Sequence, residues 1–272
     1  MRISYLGPPG TFSDEALARC DLASSAEREP MATLTDVYEA ALSGRTEMAL
    51  LPIENSLEGA VGATLDLLVQ RAGLVIRREV LLPIHQQLMA PPGTRIEDIR
   101  RVLSHPQALG QCAGFLRSRL ATAAQEAARS TADAARCAAQ ESGVAAIGSR
   151  AAAERYGLEL LATSIQDGED NTTRFVLLAH EDEAPTGRDR TSLALSLDRD
   201  RPGALYEVLG ELAVRHINLS KIESRPTKHA LGHYVFFLDF EGHRTEPACA
   251  EGLAAARARA DRFMLLGSYP RA

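Results

Sequence analysis

The chain has 272 residues, of which 45% are hydrophobic and 24% charged, enough to bury the core of one large or two ordinary soluble domains. Acidic residues outnumber basic ones by 36 to 30. Because no basic run is interleaved with aromatic residues, nucleic acid is not expected as a partner.

The N-terminus carries no export signal, and no apolar stretch approaches the roughly 18 residues of a membrane span, so we expect a cytoplasmic protein without a membrane partner. The four cysteines are scattered without CxxC or metal-type spacing: Cys20, Cys112, Cys137 and Cys249. This usage predicts reduced thiols and no metal site.

The first two-thirds of the chain alternates short apolar runs with helical patterns, which predicts an α/β fold. Strands are predicted at 2–6, 48–51, 74–82, 85–90, 144–147 and 175–178. Helices are predicted after Ser13 as an N-cap, at 34–43, at 57–70, after Pro106 and at 130–141. Ser130 and Asp133 have the spacing of a capping box at the start of the last of these helices.

Residues 180–190 are polar, contain Pro and Gly and lack an apolar period, as is typical of a linker. A compact series follows, with strands predicted at 191–197, 217–224, 232–240 and 262–267 and helices at 203–215 and 246–259. The order βαββαβ predicts a ferredoxin-like sandwich with two helices on one face of the sheet.

Polar residues and glycines cluster where predicted strands of the first part end and helices begin. Three such corners occupy 7–13, 52–59 and 104–109, and a fourth segment, 170–175, precedes a strand. Ligands of open α/β sheets bind beyond the carboxyl ends of strands, where helix N-termini favour anions. Each corner alone is more typical of an ordinary turn and cap. Together they predict a polar cleft for an anion and name no reaction.

The four segments together resemble the prephenate dehydratase family. The patterns GPxGTFS, PIENSxxG, SHPQALxQC and NxTRF occur in that order, beginning at Gly7, Pro52, Ser104 and Asn171. The βαββαβ part resembles the regulatory ACT domain of this family through a GAL signature at 203–205 and an ESRP signature at 223–226. The resemblance covers nearly the whole chain.

The resemblance implies a catalytic domain of two α/β lobes with a cleft, like the periplasmic binding proteins, over residues 1–180. A linker at 181–190 and an ACT domain at 191–272 would follow. The chain is expected to cross between the lobes near 78–85 and 160–168.

The activity that the resemblance implies is the conversion of prephenate to phenylpyruvate, carbon dioxide and water, without a metal or an organic cofactor. Thr173 would assist departure of the hydroxyl by hydrogen bonding with proton relay, because Thr is a poor free acid. Arg174 would clamp the pyruvyl carboxylate. Pairing with the departing carboxylate would instead stabilise the ground state and slow the reaction.

The remaining motif residues are assigned to substrate binding: Thr11, Ser13, Asn55, Ser56, Gln107 and Phe175. Phe175 alone would be a core strand residue that packs behind Thr173. Glu54 would repel a dianion, so we prefer a structural role for it, either orienting Asn55 or bridging the lobes.

The ACT resemblance implies feedback inhibition by phenylalanine bound between paired domains of a homodimer or homotetramer. The residues assigned to this site are Gly203, Ala204, Leu205, Asn218, Glu223, Ser224 and Arg225. Of these, Glu223 and Arg225 can serve the interface instead.

Three rivals remain open. An arogenate dehydratase performs the same elimination on the aminated substrate. A small-molecule binding protein without catalysis would share the two-lobed fold, and an amino-acid sensor with a degenerate catalytic part would share the ACT domain.

Overall fold

The computed structural model describes residues 1–23, 25–168, 170–197, 202–227 and 233–272. The chain divides into two compact units, named here the first unit (Met1–Val61 with Val80–Phe175) and the second unit (Gly62–Glu79 with Val176–Ala272). The domain limits expected from composition, at 180 and 190, stay a prediction.

In chain order, the elements up to residue 105 are β1 (Arg2–Leu6), α1 (Phe12–Ala18), β2 (Glu27–Met31), α2 (Leu34–Leu42), β3 (Met48–Asn55), β4 (Gly59–Ala60), α3 (Gly62–Gln70), β5 (Val75–Pro83), β6 (Gln87–Ala90) and β7 (Arg101–Ser104). The later elements are α4 (Pro106–Gln111), α5 (Ala113–Arg119), β8 (Ala124–Ala127), α6 (Thr131–Ala138), β9 (Val144–Gly148), α7 (Arg150–Tyr156), β10 (Glu159–Ala162), β11 (Thr172–Ala179), β12 (Asp189–Ser196), α8 (Ala204–Ala213), β13 (Leu219–Pro226), β14 (Tyr234–Glu241), α9 (Pro247–Arg259) and β15 (Arg262–Pro270).

Two α/β lobes precede the C-terminal part of the chain. The strands of one sheet follow the order β2-β1-β3-β11-β5, with β4 beside β3 and with β1 parallel to both of its neighbours. The other sheet has the order β10-β6-β9-β7-β8. Helices α4 and α5 pack on one face of this second sheet and α6 and α7 on the other, which explains why β9 is apolar throughout.

The chain passes between the two sheets at residues 84–86 and again at 163–171, because β5 continues to Pro83 and β10 ends only at Ala162. Both passages lie a few residues later than expected. The α/β class and the two-lobed architecture predicted from the sequence are confirmed.

The C-terminal part has the predicted βαββαβ order. Its sheet is antiparallel, in the order β13-β14-β12-β15. Leu193 and Leu195 of β12 share one core with Val208 and Leu212 of α8. Since side chains alternate along a strand, the residues between them face the other side of the sheet.

Several local predictions are corrected. The N-cap of α1 is Thr11, and Ser13 lies inside the helix. The helix predicted at 57–70 begins only at Gly62, because residues 56–58 turn and β4 pairs back onto β3. Strand β3 runs through Pro52 to Asn55. Elements not predicted from the sequence are β2, β4, β7, α5, β8, α7 and β10.

The segment predicted as a linker is held in place by an ion pair within the second unit. Nε and Nη2 of Arg244 donate to the two oxygens of the Asp182 carboxylate, at 2.8 and 2.9 Å. Burial acts to raise the pKa of Asp182, but hydrogen bonds from Arg244 and from the Ser268 amide outweigh it and hold that pKa below its usual value. Among the helices described, none is long and apolar enough to cross a membrane.

Candidate active site

A cavity of about 380 Å³ lies between the two lobes of the first unit. The starts of three helices face it: Thr11 and Ser13 at α1, His105 and Gln107 at α4, and Ser130 and Thr131 at α6. Unpaired N–H groups at helix starts attract anions. Two of these corners were predicted, and the one at α6 was recognised only as a helix cap.

The loop before α1 fixes one wall of the cavity by contacting the other lobe. Gly10 has φ +90°, and a side-chain carbon at this position would lie 3.2 Å from the Ala152 backbone of α7. The Ser149 hydroxyl donates to the Gly10 carbonyl at 2.7 Å. The Thr11 hydroxyl caps α1 and donates to the Leu6 carbonyl at 3.0 Å, so its proton is already engaged.

Asn55 ends β3 and is held in one orientation. Its Oδ1 accepts hydrogen bonds from the backbone amides of Leu57 and Glu58, at 3.0 and 3.2 Å. These two donors settle which end of the carboxamide is oxygen. The amide nitrogen must therefore point toward β11.

Thr173 receives that amide nitrogen. Asn55 Nδ2 donates to Thr173 Oγ1 at 2.9 Å, and both side chains line the cavity. A hydroxyl has one proton to donate and two lone pairs to accept with. Because Asn55 occupies an acceptor position, the Thr173 proton is available to a molecule in the cavity.

A chain of carboxamides extends from this pair toward the other lobe. Asn55 Nδ2 also donates to Asn171 Oδ1 at 2.7 Å, and Asn171 Nδ2 donates to Gln111 Oε1 at 3.2 Å. Gln86 Nε2 donates to the same Gln111 oxygen at 3.3 Å. Gln86, Gln111 and Asn171 all line the cavity. The sequence analysis assigned none of the three to substrate binding, although two belong to the recognised motifs.

Gln86 is the last residue in this series of hydrogen-bonded carboxamides, and its side-chain oxygen is available as an acceptor. The residue is 3% exposed, and its Oε1 is buried without a hydrogen-bond partner among the residues described. Buried polar atoms are rarely left unpaired in native proteins. The oxygen is thus suited to accept a hydrogen bond from a bound molecule.

Among the described lining residues, the charged or basic side chains of the cavity are an arginine and a histidine. Arg129 lines it directly before the α6 cap, and its guanidinium is 89% exposed and only 3.5 Å from Asp133. His105 also lines it and accepts from the Gln107 amide through Nδ1 at 3.4 Å. None of the described lining residues is acidic. This balance favours an anionic ligand.

Arg174 is not among the residues that line the cavity, so its role as the carboxylate clamp stays a prediction. Its side chain is 8% exposed and its Nε lies 3.3 Å from Glu54 Oε2. Neighbouring residues of a strand face opposite sides, so Thr173 in the cavity places Arg174 behind it. Glu54 precedes Asn55 and is turned away for the same reason. The structural role preferred for Glu54 fits this ion pair.

Two further residues assigned to substrate binding lie outside the cavity lining. The Ser56 hydroxyl donates to the Asp170 carbonyl at 2.6 Å and accepts from the Thr172 amide at 2.9 Å, which ties the turn to β11. Phe175 is 2% exposed and belongs to the core. By contrast Thr11, Ser13, Asn55 and Gln107 line the cavity as expected.

Cys112, the last residue of the third motif, is fully buried. Burial, with a smaller contribution from the charge of Asp167, raises the pKa of its thiol to about 12. A thiol in this state is a poor nucleophile at neutral pH. Within the described ranges, no group of three or more His, Cys, Asp or Glu side chains is placed to hold a metal ion.

The residues expected to bind phenylalanine are not all brought together in one chain. Gly203 has φ +85° and caps the start of α8, with Ala204 and Leu205 in the first turn. Asn218 follows the far end of α8, which is about 15 Å long from its 1.5 Å rise per residue. Of the loop before Gly203, residues 198–201 lie outside the described residues.

The ESRP residues are on β13, at the edge of the sheet. Arg225 binds Asp66 of α3 at 3.3 Å within the second unit. Several large apolar side chains of this unit are exposed: Tyr206, Val214, Ile222 and Tyr234.

Comparison with known proteins agrees with both parts of the chain. Residues 3–183 match the family model described as prephenate dehydratase, and residues 191–251 match that of the ACT domain. A prephenate dehydratase of Amycolatopsis methanolica is 42% identical over 274 residues, covering 100% of this chain and 89% of the relative.

Solved structures with the same architecture include a prephenate dehydratase from Arthrobacter aurescens in complex with L-Phe. It has a TM-score of 0.92 and 39% identity, and the match covers 100% of this chain and 90% of that one. A second, GqqA, is described as a novel type of quorum quenching acylase. It has a TM-score of 0.89 and 31% identity, with 100% and 98% of the two chains covered. The present chain belongs to the prephenate dehydratase family and carries an ACT domain in its C-terminal part.

Proposed function

We propose that the chain is a lyase that converts prephenate to phenylpyruvate and is inhibited by phenylalanine at its ACT domain. The observation that carries the catalytic part is the Asn55–Thr173 hydrogen bond, which directs a hydroxyl proton into a cavity with no acidic side chain among its described lining residues. Family membership and the similarity to the prephenate dehydratase of Amycolatopsis methanolica support this assignment.

The proposed reaction is an elimination. The bond from the ring to its carboxylate breaks and releases carbon dioxide, and its electron pair enters the ring. The carbon–oxygen bond at the ring hydroxyl breaks in concert, and the departing hydroxide takes a proton through Thr173 to leave as water. Thr173 recovers its proton from solvent. Since the product ring is aromatic, the protein supplies orientation and one positioned proton rather than a strong acid.

Arg129 takes the carboxylate-binding role expected of Arg174. We place the pyruvyl carboxylate at Arg129 and the start of α6, where a cation and helix N–H groups act together. The departing carboxylate then lies toward Leu6, Phe12 and Ile84. It loses its charge as carbon dioxide, so an apolar wall favours the transition state over the ground state.

The same lining favours prephenate over arogenate. Arogenate carries an ammonium group where prephenate has a keto oxygen, and no described lining residue offers a carboxylate to pair with it. The single hydrogen-bond donor of prephenate is its ring hydroxyl. We propose that Gln86 Oε1 accepts from this hydroxyl and Thr173 donates to it.

The first test is turnover of prephenate, arogenate and an N-acyl amide by the purified protein, with Thr173→Ala and Thr173→Ser. Prephenate is expected to be preferred, with kcat falling about 10² to 10⁴-fold in Thr173→Ala and partly restored in Thr173→Ser. Thr172→Ala, the neighbouring residue outside the cavity lining, is the control and should keep its activity.

Arogenate preference would retain the mechanism and change the substrate. Hydrolysis of the amide without dehydration of prephenate would indicate an acylase activity, as described for GqqA. Ligand binding without any turnover would leave a binding or sensing protein.

The second prediction concerns Asn55. In Asn55→Asp a carboxylate oxygen replaces the donor that faces Thr173, so the hydroxyl proton turns toward Asp and away from the substrate. We expect kcat to fall at least about 100-fold, with KM nearly unchanged because binding groups stay in place. Steady-state kinetics check this, and thermal unfolding of the variant shows whether it is folded. An unchanged kcat would contradict the orienting role.

The third prediction separates the two arginines. Arg129→Gln should raise KM for prephenate about 10 to 100-fold, as expected for loss of a charge-assisted hydrogen bond. Arg136→Gln is the matched control, since it also pairs with Asp133 but does not line the cavity. If instead only Arg174→Gln raises KM, and that variant has normal stability, Arg174 rather than Arg129 would bind the carboxylate.

The fourth prediction concerns phenylalanine. Because Gly203 and Asn218 lie at opposite ends of α8, we propose that each site combines Gly203–Leu205 of one copy with Asn218 of a second. Gly203→Val and Asn218→Ala should each abolish inhibition by phenylalanine when present in both copies. Mixed dimers of the two variants regain one intact site, and inhibition should partly return. Failure of the mixed dimers to respond would contradict a shared site.

A further inference from the structure

A second cavity, of about 510 Å³, lies within the second unit. It lies between α3 and one face of the ACT sheet. Helices α8 and α9 pack on the opposite face. Ala194 alternates with the core residues Leu193 and Leu195 on β12, so its side chain faces this cavity. On the opposite side, Asp66, Val69 and Gln70 of α3 have the i, i+3, i+4 spacing of one helix face.

The floor of the cavity is apolar. Ala194 and Phe237 are at most 4% exposed, and Val69, Val235 and Met264 also line it. Protein interiors contain few voids larger than a water molecule. A cavity of this size falls instead in the range of small-molecule sites, about 300–1,000 Å³.

The edge of the cavity contains two buried donors that bind none of the described residues. Arg225 and Thr227 are two residues apart on and just after β13, and both line the cavity. Arg225 Nε and Thr227 Oγ1 are buried without a hydrogen-bond partner among the residues described. Such atoms are rare in native proteins and indicate an acceptor that binds there.

The charges at this edge favour an anion. The described lining includes two cationic side chains, Arg225 and Arg262, and one carboxylate, that of Asp66. Asp66 pairs with Arg225, whereas Arg262 forms no ion pair with any residue in the described ranges. Within the described part of the lining, one cationic charge is therefore in excess beside these two donors.

We propose that this cavity binds a small monocarboxylate with an aromatic or branched aliphatic body. The carboxylate would bind Arg225, Thr227 and Arg262, and the body would lie on Phe237 and Met264. Arg225 belongs to the signature that the sequence assigns to phenylalanine, but neither Gly203 nor Asn218 lines this cavity, so the cavity is distinct from the site proposed above for phenylalanine. It does not depend on the proposed activity. Because α3 and the sheet both contact the ligand, occupancy would stabilise their association.

The test follows the ε-methyl group of Met264 by NMR in the full chain labelled at methionine. The chain has 5 methionines, of which only Met264 lines this cavity and none lines the candidate active site. Met264→Leu assigns the signal. The probe is 3-phenylpropanoate, which lacks the amino group of the proposed inhibitor, and its neutral amide is the comparison compound.

Titration with 3-phenylpropanoate is expected to shift the Met264 signal saturably, and the amide should bind at least about tenfold more weakly. Arg262→Gln should weaken binding by a similar factor. Ala194→Leu fills the floor and should abolish the shift without lowering the unfolding temperature. Arg257→Gln, an arginine of α9 that does not line the cavity, is the matched control and should bind normally.

The proposal is overturned if the Met264 signal does not move at millimolar probe, or if acid and amide bind equally well. It is also overturned if Ala194→Leu and Arg262→Gln leave the titration unchanged. None of these results bears on prephenate turnover, so they are independent of the proposed activity.

Discussion

The arrangement of the candidate active site depends on the orientation of one carboxamide. Two backbone amides of the turn after β3 bind the oxygen of Asn55, so its nitrogen can only face β11. This fixes Thr173 as an acceptor toward Asn55 and a donor toward the cavity. A hydroxyl free to rotate would offer its proton in many directions, and positioning it removes that entropy cost from the reaction.

The same carboxamide connects the two lobes. From Asn55 the hydrogen bonds continue through Asn171 and Gln111 to Gln86. Gln86 and Asn171 lie on the two segments where the chain passes between the sheets. A change in the angle between the lobes would therefore disturb the Thr173 hydroxyl. Closure of the cleft and orientation of the proton are expected to be coupled through these amides.

Much of this could be predicted from the sequence, because strand-to-helix corners have a strong local signature. Thr11, Asn55, Gln107 and Thr173 line the cavity; they were assigned through the family motifs, of which three occupy such corners and one precedes β11. The two-residue period of β11 places Thr173 and Arg174 on opposite faces, and only Thr173 lines the cavity. The assignment of Arg174 as the carboxylate clamp stays a prediction. Arg129 was not recognised as a candidate because Ser130 was interpreted as an ordinary helix cap. Strand β8 gave no signal at all, because all four of its residues are exposed.

The cavity of the second unit could not be predicted because it requires a long-range contact. Helix α3 and β13 are separated by about 150 residues of sequence, yet Asp66 binds Arg225. Likewise, Gly203 and Asn218, which are both expected to bind phenylalanine, lie at opposite ends of α8. Sequence motifs identify residues that serve one function. They do not reveal whether one chain or two bring those residues together.

The most direct test of the central claim is a crystal structure of Thr173→Ala with prephenate bound. The account predicts the ring hydroxyl beside residue 173 and within hydrogen-bond distance of Gln86 Oε1, with the pyruvyl carboxylate on Arg129. A hydroxyl directed away from residue 173, or a substrate carboxylate on Arg174, would contradict it.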